Sequence, residues 1–337
     1  MMEHPRSKFL ELLSLKVLDI RLRADHPEKE KVRSDLKIKY AELKGEREVA
    51  YTLDFLDKSK FVVMHNLRLP DHNGHFQIDT LILTEKVFLV VEVKNWQGTV
   101  IFSENGQVTR IPPDGSEEGY KNPVDQAETQ SYRLQQWLLQ HNLSDIPFEY
   151  LVVISFPKTI IKPSSPNVTI PHEVIHNSKL IFRVQEIVSK YDKQIRNMGQ
   201  LKRLAKTLAD AHVPPKNILS KYNFTDSDLI KGVFCPECGT VLMTKINTKW
   251  HCKQCEYSSD EAYKYALLDY RLFYGDWITN KIAREFLLIA SPTVVQRILK
   301  KVCKTAEGKN RWRRYQLDYR KLKLDTKRKA LKERVSR

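Results

Sequence analysis

Two neighbouring apolar segments, residues 77–83 and 87–94, constrain the fold of this chain more than any other feature. Each is typical of a β-strand with apolar side chains on both faces, which belongs at the centre of a covered sheet. A charge in this setting is costly unless it is paired or bound to a metal ion. Asp79 nevertheless lies in the first segment, and Glu92 and Lys94 lie in the second. These charges predict a functional site within the sheet.

The spacing of the three charges predicts their geometry. Side chains alternate along a strand, so Glu92 and Lys94 share one face. If residues 85–86 form a two-residue turn, the continued register places Asp79 opposite Glu92, with Cβ atoms about 5 Å apart. Two carboxylates this close repel each other unless a divalent cation lies between them, and Mg²⁺ or Mn²⁺ suits hard oxygen ligands. The alternative, an ordinary ion pair of Lys94 with Asp79 or Glu92, stays open.

Helical and strand-like segments surround this pair of strands. Their order, helix, strands, helix, strand, predicts an α/β fold in which helices flank a mixed sheet. The predicted helices cover residues 34–56, 123–140 and 180–212, the predicted strands cover residues 61–67, 77–83, 87–94, 99–102, 149–156 and 174–176, and residues 111–120 are predicted to be a surface loop.

Several short motifs resemble the NERD (nuclease-related) domain of the restriction-endonuclease-like PD-(D/E)xK superfamily. They are Gly-Glu-Arg-Glu-Val at residues 45–49, Gln-Ile-Asp at 77–79, and Val-Glu-Val-Lys-Asn-Trp at 91–96 followed by Gly98. The resemblance covers about residues 38–155. It implies a restriction-endonuclease-like mixed sheet and hydrolysis of phosphodiester bonds.

The resemblance also implies a role for each residue of the site. Asp79 and Glu92 are expected to be ligands of Mg²⁺ or Mn²⁺, and Lys94 is expected to be the catalytic lysine. Glu46 matches the family's helical glutamate, which adds a ligand or orients water. Gln126 follows Asn-Pro at the start of the next helix and is expected to contact the site, although an ordinary polar residue at a helix start explains it equally well.

Four of the five cysteines form two C-x-x-C pairs. Each pair makes a tight turn that presents two thiolates, and four thiolates complete the tetrahedral shell of a structural Zn²⁺. Redox chemistry is the alternative. Reduced cysteines of this kind indicate a reducing compartment, and we therefore expect a cytoplasmic protein. The cysteines of the predicted zinc ribbon are Cys235, Cys238, Cys252 and Cys255.

The C-terminal part of the chain is strongly basic. The formal net charge of the whole chain is +16, which favours polyanionic partners. Residues 277–302 have the pattern of a helix-turn-helix, with a wing at residues 311–317, although an ordinary helical hairpin remains an alternative. The residues expected to contact nucleic acid are Thr293, Gln296, Arg297, Lys300, Arg311, Arg313 and Arg314. The end of the chain, residues 321–337, is expected to form a solvated basic helix.

The sequence therefore predicts five parts: an N-terminal helical extension (1–34), a nuclease-like domain (35–180), a helical connector (181–230), a zinc ribbon (231–260) and a basic, helix-turn-helix-like C-terminal region (261–337). The chain begins with no recognisable signal peptide, and no run of 18 apolar residues predicts a membrane span.

Three functions fit this pattern. The first is a metal-dependent nuclease whose partner is DNA. The second is a regulator or adaptor that binds DNA and uses the nuclease-like fold as a scaffold. The third is an RNA-processing factor, because a zinc ribbon with a basic tail binds RNA as readily. A homodimer is a further expectation, since many restriction-like enzymes pair to cut both strands.

Overall fold

The computed structural model of the protein describes residues 2–3, 6–143, 146–239 and 241–322. The chain divides into two compact units. The first unit comprises Met1–Leu10 and Lys39–Lys216, and the second comprises Glu11–Ile38 and the described residues from Asn217 onward. None of the described helices is long and apolar enough to cross a lipid bilayer.

The first unit is a mixed α/β structure, as the sequence predicts. Its strands are β1 (Met2–Glu3), β2 (Val62–Asp71), β3 (Gly74–Leu83), β4 (Phe88–Lys94), β5 (Thr99–Phe102), β6 (Val108–Ile111), β7 (Glu118–Tyr120), β8 (Phe148–Ile154), β9 (Ile160–Pro163) and β10 (Val174–His176). Six of them form a sheet in the order β1-β2-β3-β4-β8-β10. In this sheet β2, β3 and β4 are antiparallel, whereas β8 is parallel to both β4 and β10. A second sheet has the order β7-β6-β5-β9.

Helices cover both faces of the six-stranded sheet. They are α2 (Lys29–Leu53), α3 (Pro123–Gln140), α4 (Leu180–Ser189) and α5 (Met198–Asp210), and a further helix, α1 (Arg6–Arg21), precedes them in the chain. On one face, apolar side chains of α3 and α5 pack in one cluster with Leu81, Leu83 and Val90. On the other face, side chains of α2 and α4 pack with Ile82 and Leu89. The central strands are therefore apolar on both faces because both faces are buried.

The register of β3 and β4 agrees with the prediction. Thr80 pairs with Val91 and Leu83 pairs with Phe88, which is the predicted register. The ladder ends at the Thr80–Val91 pair, so Asp79 and Glu92 are not paired, and the carboxylate of Asp79 instead accepts from the backbone amide of Val93. The side chain of Thr84 fixes the turn. Its Oγ1 donates to the carbonyl of Val87 at 2.7 Å and accepts from the backbone amide of the same residue at 3.0 Å.

The helix bounds agree with the prediction in one case and differ in another. Helix α3 spans the predicted residues, because the side chain of Asn122 caps it by accepting from the amide of Val124 at 3.0 Å and a proline follows at the first position. Helix α2 begins at Lys29, not at Ser34, since Val32 already belongs to its buried face.

The predicted loop at 111–120 is shorter than expected. Strand β6 reaches Ile111, and β7 pairs with it because Arg110 lies opposite Glu118 and forms an ion pair of 3.1 Å. Residues 180–212 form two helices, and the second starts with a capping box between Asn197 and Gln200.

The second unit contains two small sheets and a helical region. Its further elements are β11 (Thr244–Ile246), β12 (Lys249–His251), β13 (Ser258–Ser259), α6 (Tyr263–Tyr274), β14 (Trp277–Thr279), α7 (Asn280–Leu287), α8 (Pro292–Val302), β15 (Cys303–Glu307), β16 (Arg314–Leu317) and α9 (Tyr319–Leu322). Strands β11 to β13 form one sheet, and the other has the order β14-β16-β15.

The region predicted to be a helix-turn-helix contains strands as well as helices. Residues Ile278 and Thr279, predicted as the start of a helix, belong to strand β14, which pairs with β16. The helix begins afterwards, because Thr279 caps α7 by accepting from the amide of Ile282 at 3.2 Å. A three-stranded sheet therefore accompanies α7 and α8, with β15 and β16 as a wing. The predicted basic helix lies almost entirely beyond Leu322, outside the described residues.

Arg21 is fully buried in the second unit. Its guanidinium forms an ion pair with Asp269 at 2.7 Å, donates to the carbonyl of Ile230 at 2.9 Å, and stacks on the ring of Phe286. Removing one partner of a buried ion pair is strongly destabilising, because the remaining charge stays buried.

We expect Arg21→Met to lower the free energy of unfolding of the second unit by about 3 kcal/mol. Urea denaturation followed by tryptophan fluorescence measures the loss. The matched control is Arg33→Met in the same unit, because Arg33 forms half-exposed ion pairs that contribute little. Equal effects of the two substitutions would contradict the prediction.

Candidate functional site

Four of the predicted residues meet where β4 approaches α3. Oδ2 of Asp79 accepts from the backbone amide of Val93 at 3.1 Å, which fixes the carboxylate beside β4. Glu92 is buried, and its Oε1 accepts from Nζ of Lys94 at 2.7 Å. The same ammonium donates to Oε1 of Gln126 on α3 at 2.9 Å. Gln126 is therefore in contact with the site, and the Lys94–Glu92 ion pair that the sequence left open is also present.

Glu46 on α2 joins these residues through a lysine that the sequence did not indicate. Nζ of Lys8 donates to Oε1 of Glu46 and to Oδ1 of Asp79, the latter at 3.0 Å. Both side chains of the first pair are about nine-tenths buried. No motif or periodicity marks Lys8, which lies 71 residues before Asp79. Only the tertiary structure brings it to the site.

Gly45 explains why α2 comes so close to the sheet. A Cβ at this position would lie 2.6 Å from Cβ of Asn95 and 2.6 Å from Oγ of Ser155. Asn95 also donates to the carbonyl of Ala41 at 2.8 Å. The glycine therefore allows the backbone contact that carries Glu46 to the carboxylates of the strands.

Asn66 on β2 is a second residue that sequence reasoning missed. Its side chain is buried and forms a hydrogen bond with the carboxylate of Glu46. By the register of β2 and β3, it lies across from Asp79. Its only sequence signal is an asparagine inside an apolar strand, where asparagine is disfavoured.

Burial and mutual repulsion set the protonation of the three acids. Burial raises the pKa of Glu46 and of Glu92 to about 7 each, and the charge of Asp79 adds to both shifts. Burial also acts against ionisation of Asp79, but the charge of Lys8 and its hydrogen bond lower the pKa of that carboxyl. Lys8 itself stays charged: burial opposes its charge, but the two acids raise its pKa. Asp79 is therefore the acid that carries its charge most readily.

The donor set at this site fits a hard divalent cation. Three carboxylates converge, and Oε2 of Glu46 is buried without a hydrogen-bond partner. Carboxylate oxygens are ligands that Mg²⁺ and Mn²⁺ prefer. The three acids do not, however, form a group whose ligand atoms all lie within 4.8 Å of one another; among the described residues, only the cysteines do. The ammonium of Lys8 instead bridges Glu46 and Asp79.

The cysteines of the predicted zinc ribbon form a compact cluster. The sulfurs of Cys235 and Cys255 are 3.6 Å apart, as are those of Cys238 and Cys252. Sulfurs around a tetrahedral Zn²⁺ lie about 3.8 Å apart for bonds of about 2.3 Å. Burial opposes ionisation of Cys252, yet the backbone amides of Cys255 and Gln254 lower its pKa to about 7. The cluster therefore fits a small zinc site with no open position.

Helix α8 presents a polar stripe to solvent. The candidate residues Thr293, Gln296, Arg297 and Lys300 are exposed, whereas the residues between them, among them Val295 and Leu299, are buried. The wing carries Arg313, whose guanidinium lies over the ring of Tyr315, and Arg314, which pairs with Glu307 at 2.8 Å. Arg311 lies in the short 3-10 helix Asn310–Trp312 between β15 and β16.

Part of the chain is similar to a known family. Residues 41–155 match the family model of the nuclease-related domain, NERD. This segment is therefore similar to a nuclease-related domain. The matched residues include every predicted residue of the hydrolytic site and exclude Lys8, the cysteine cluster and α8. An uncharacterized protein of Bacillus anthracis is 24% identical over 180 residues, which cover 53% of this chain and 80% of that protein. No solved structure matches the chain.

We expect Lys8→Met to destabilise the first unit in the presence of EDTA by about 3 kcal/mol, because the largely buried carboxylates of Glu46 and Asp79 lose the ammonium that both of them contact. Addition of Mn²⁺ should then raise the melting temperature of the variant more than that of the wild type. Thermal denaturation by circular dichroism measures both effects. Lys58→Met, which removes an exposed ammonium in the same unit, is the control. If the melting temperature of Lys8→Met in EDTA equals that of the wild type, the stabilising role of Lys8 between Glu46 and Asp79 is refuted.

We expect Cys252→Ser to abolish stoichiometric zinc binding, since three thiolates no longer complete the shell. Cys235 and Cys252 also belong to the apolar core of the second unit, so its near-ultraviolet circular dichroism should weaken. Zinc is measured by mass spectrometry of the purified protein. Cys303→Ala is the control, because Cys303 is buried in the same core but lies outside the cluster. Full zinc content in Cys252→Ser would disprove the site.

Proposed function

We propose that the nuclease-related domain hydrolyses phosphodiester bonds in DNA with the help of Mg²⁺ or Mn²⁺. The observation that supports this most directly is the convergence of two lysines with three carboxylates, of which Glu92 is buried and Glu46 and Asp79 are largely buried. A protein gains no stability from such a set that apolar residues of similar volume would not supply. Perturbed acids that face one another are typical of catalytic sites.

The residues of the site divide the chemistry between them. Asp79 and Glu92 would hold the cation, with Glu46 as a further ligand or as the group that orients a water molecule. The bound cation supplies a Lewis acid that polarises a phosphoryl oxygen and lowers the pKa of a bound water molecule. Lys94 stabilises the negative charge that develops on the phosphate. Gln126 positions Lys94, because its Oε1 accepts from the ammonium at 2.9 Å.

The second unit is proposed to bind the nucleic acid. A helix-turn-helix places its second helix in the major groove, and α8 carries an exposed stripe of polar and basic residues on the side away from its core. The arginines of the wing suit contacts with phosphates.

The zinc site is structural in this proposal. The five-part division of the chain, a cytoplasmic location and a homodimer that cuts both strands belong to the same proposal.

A DNA-binding regulator or adaptor is the second candidate. The observation that favours it is that each acid of the site already pairs with a lysine of the chain, so the charges are partly satisfied without a cation. An RNA-processing factor would share every feature of the basic surface. Substrate competition and metal dependence separate the three candidates.

We expect the purified protein to nick supercoiled DNA in the presence of Mg²⁺ or Mn²⁺ and to lose this activity with EDTA. Asp79→Asn and Lys94→Met should each slow cleavage by about 10²-fold or more, because each removes a charge needed in the transition state. Cleavage is measured on agarose gels, with single-stranded DNA and RNA as competing substrates. Asp54→Asn is the control, since Asp54 is an exposed acid of the same unit.

The outcomes distinguish the candidates. Preferred cleavage of RNA would favour an RNA-processing factor. Salt-sensitive DNA binding without metal-dependent cleavage by the wild type would favour the regulator.

A further inference from the structure

Asn66 has a backbone conformation that is unusual for a strand. Its φ is 55°, in the left-handed region, and it lies inside β2. The other described non-glycine residues with positive φ are all outside strands; they are Asn142, Asn247, Glu256, Leu288 and Asn310. Left-handed residues cost free energy, and when they occur inside regular structure they cluster at functional sites.

The backbone of Asn66 interrupts the pairing of β2 with β3. The ladder pairs His65 with Thr80 and Leu67 with Ile78, but Asn66 and Asp79 do not pair. Because of this interruption, Met64 and Leu67 pack in the same apolar cluster although they are three residues apart. Asp79 is therefore not paired with β2 at this kink. Its carboxylate accepts hydrogen bonds from the backbone amide of Val93 and from the ammonium of Lys8.

The kink alone does not explain the side chain of Asn66. Glycine adopts a positive φ more easily than asparagine, so a glycine would form the same backbone. The side chain is instead buried, with 6% of its surface exposed. The side chain forms a hydrogen bond with the carboxylate of Glu46. The Oδ1 atom of Asn66 nevertheless has no hydrogen-bond partner. A buried oxygen without a partner costs free energy because it has lost its hydrogen bonds to water, which calls for a compensating role.

We propose that Oδ1 of Asn66 is a further ligand for the divalent cation that Asp79 and Glu92 hold. This inference rests on the proposed function of the same site. A carbonyl oxygen is a hard ligand suited to Mg²⁺ and Mn²⁺. It is also neutral, which matters because Asp79, Glu92 and Glu46 already repel one another. Asn66 therefore adds a donor without adding to this repulsion.

The test is calorimetric titration of the full-length, zinc-loaded protein with Mn²⁺. Asn66→Gly keeps the left-handed backbone and removes only the amide. We expect it to weaken Mn²⁺ binding about tenfold while its melting temperature in EDTA stays close to that of the wild type. Asn66→Asp keeps an oxygen at the same place, so its affinity should equal or exceed that of the wild type.

Two controls make the test decisive. Asn142→Gly replaces an exposed asparagine with the same backbone conformation in the same unit, and it should bind Mn²⁺ like the wild type. Asp79→Asn should lose binding altogether. If Asn66→Gly binds Mn²⁺ as tightly as the wild type, Asn66 serves only the kink and the inference is wrong. If Asn66→Gly does not fold, a tenfold loss of affinity in Asn66→Asp overturns the inference and retained affinity supports it.

Other results would refute the proposed function itself. If the wild type does not bind Mn²⁺, or if Asp79→Asn binds Mn²⁺ as tightly as the wild type, both the cation site and the ligand role of Asn66 are refuted. A wild type that binds Mn²⁺ through Asp79, beside an Asn66→Gly variant of equal affinity, refutes the role of Asn66 alone.

Discussion

The constraint on which the first unit depends is a group of five largely buried charged side chains on two helices and two strands. A buried charge is tolerated only when it is paired, and the pairing here joins separate elements. Lys8 of α1 connects Glu46 of α2 with Asp79 of β3, and Lys94 of β4 pairs with Glu92 and contacts α3. The positions of three helices relative to two strands are therefore tied to the same few contacts.

In this arrangement the lysines do not fully balance the charge of the acids. The two lysines bring less positive charge than the three carboxylates would carry if all were ionised. The result is that Glu46 and Glu92 have pKa values raised to about 7, whereas the pKa of Asp79 is lowered. A site whose acids differ in this way can exchange protons for a cation near neutral pH. The same burial that costs stability thus shifts the pKa values of these acids.

The second unit has a small core that includes cysteines and a buried arginine. Its core combines Cys235 and Cys252 of the cysteine cluster with side chains of α6, α7 and α8, and Cys238 packs against the same core. Arg21 adds a fully buried guanidinium between Asp269 and the ring of Phe286. Small clusters of this kind gain order from a metal and from specific polar contacts where apolar area is limited.

Local sequence patterns determined a large part of this protein. The register of β3 and β4, the bounds of α3 and the cysteine cluster all follow from alternation, turn length, a helix cap or motif spacing, which are short-range rules. Tertiary structure alone decided the rest. The strand at Trp277 depends on pairing with β16, which lies some forty residues later, and the early start of α2 depends on a core that accepts Val32. Lys8 and Asn66 reach the site because buried carboxylates require partners, and no local pattern records which distant residue supplies them.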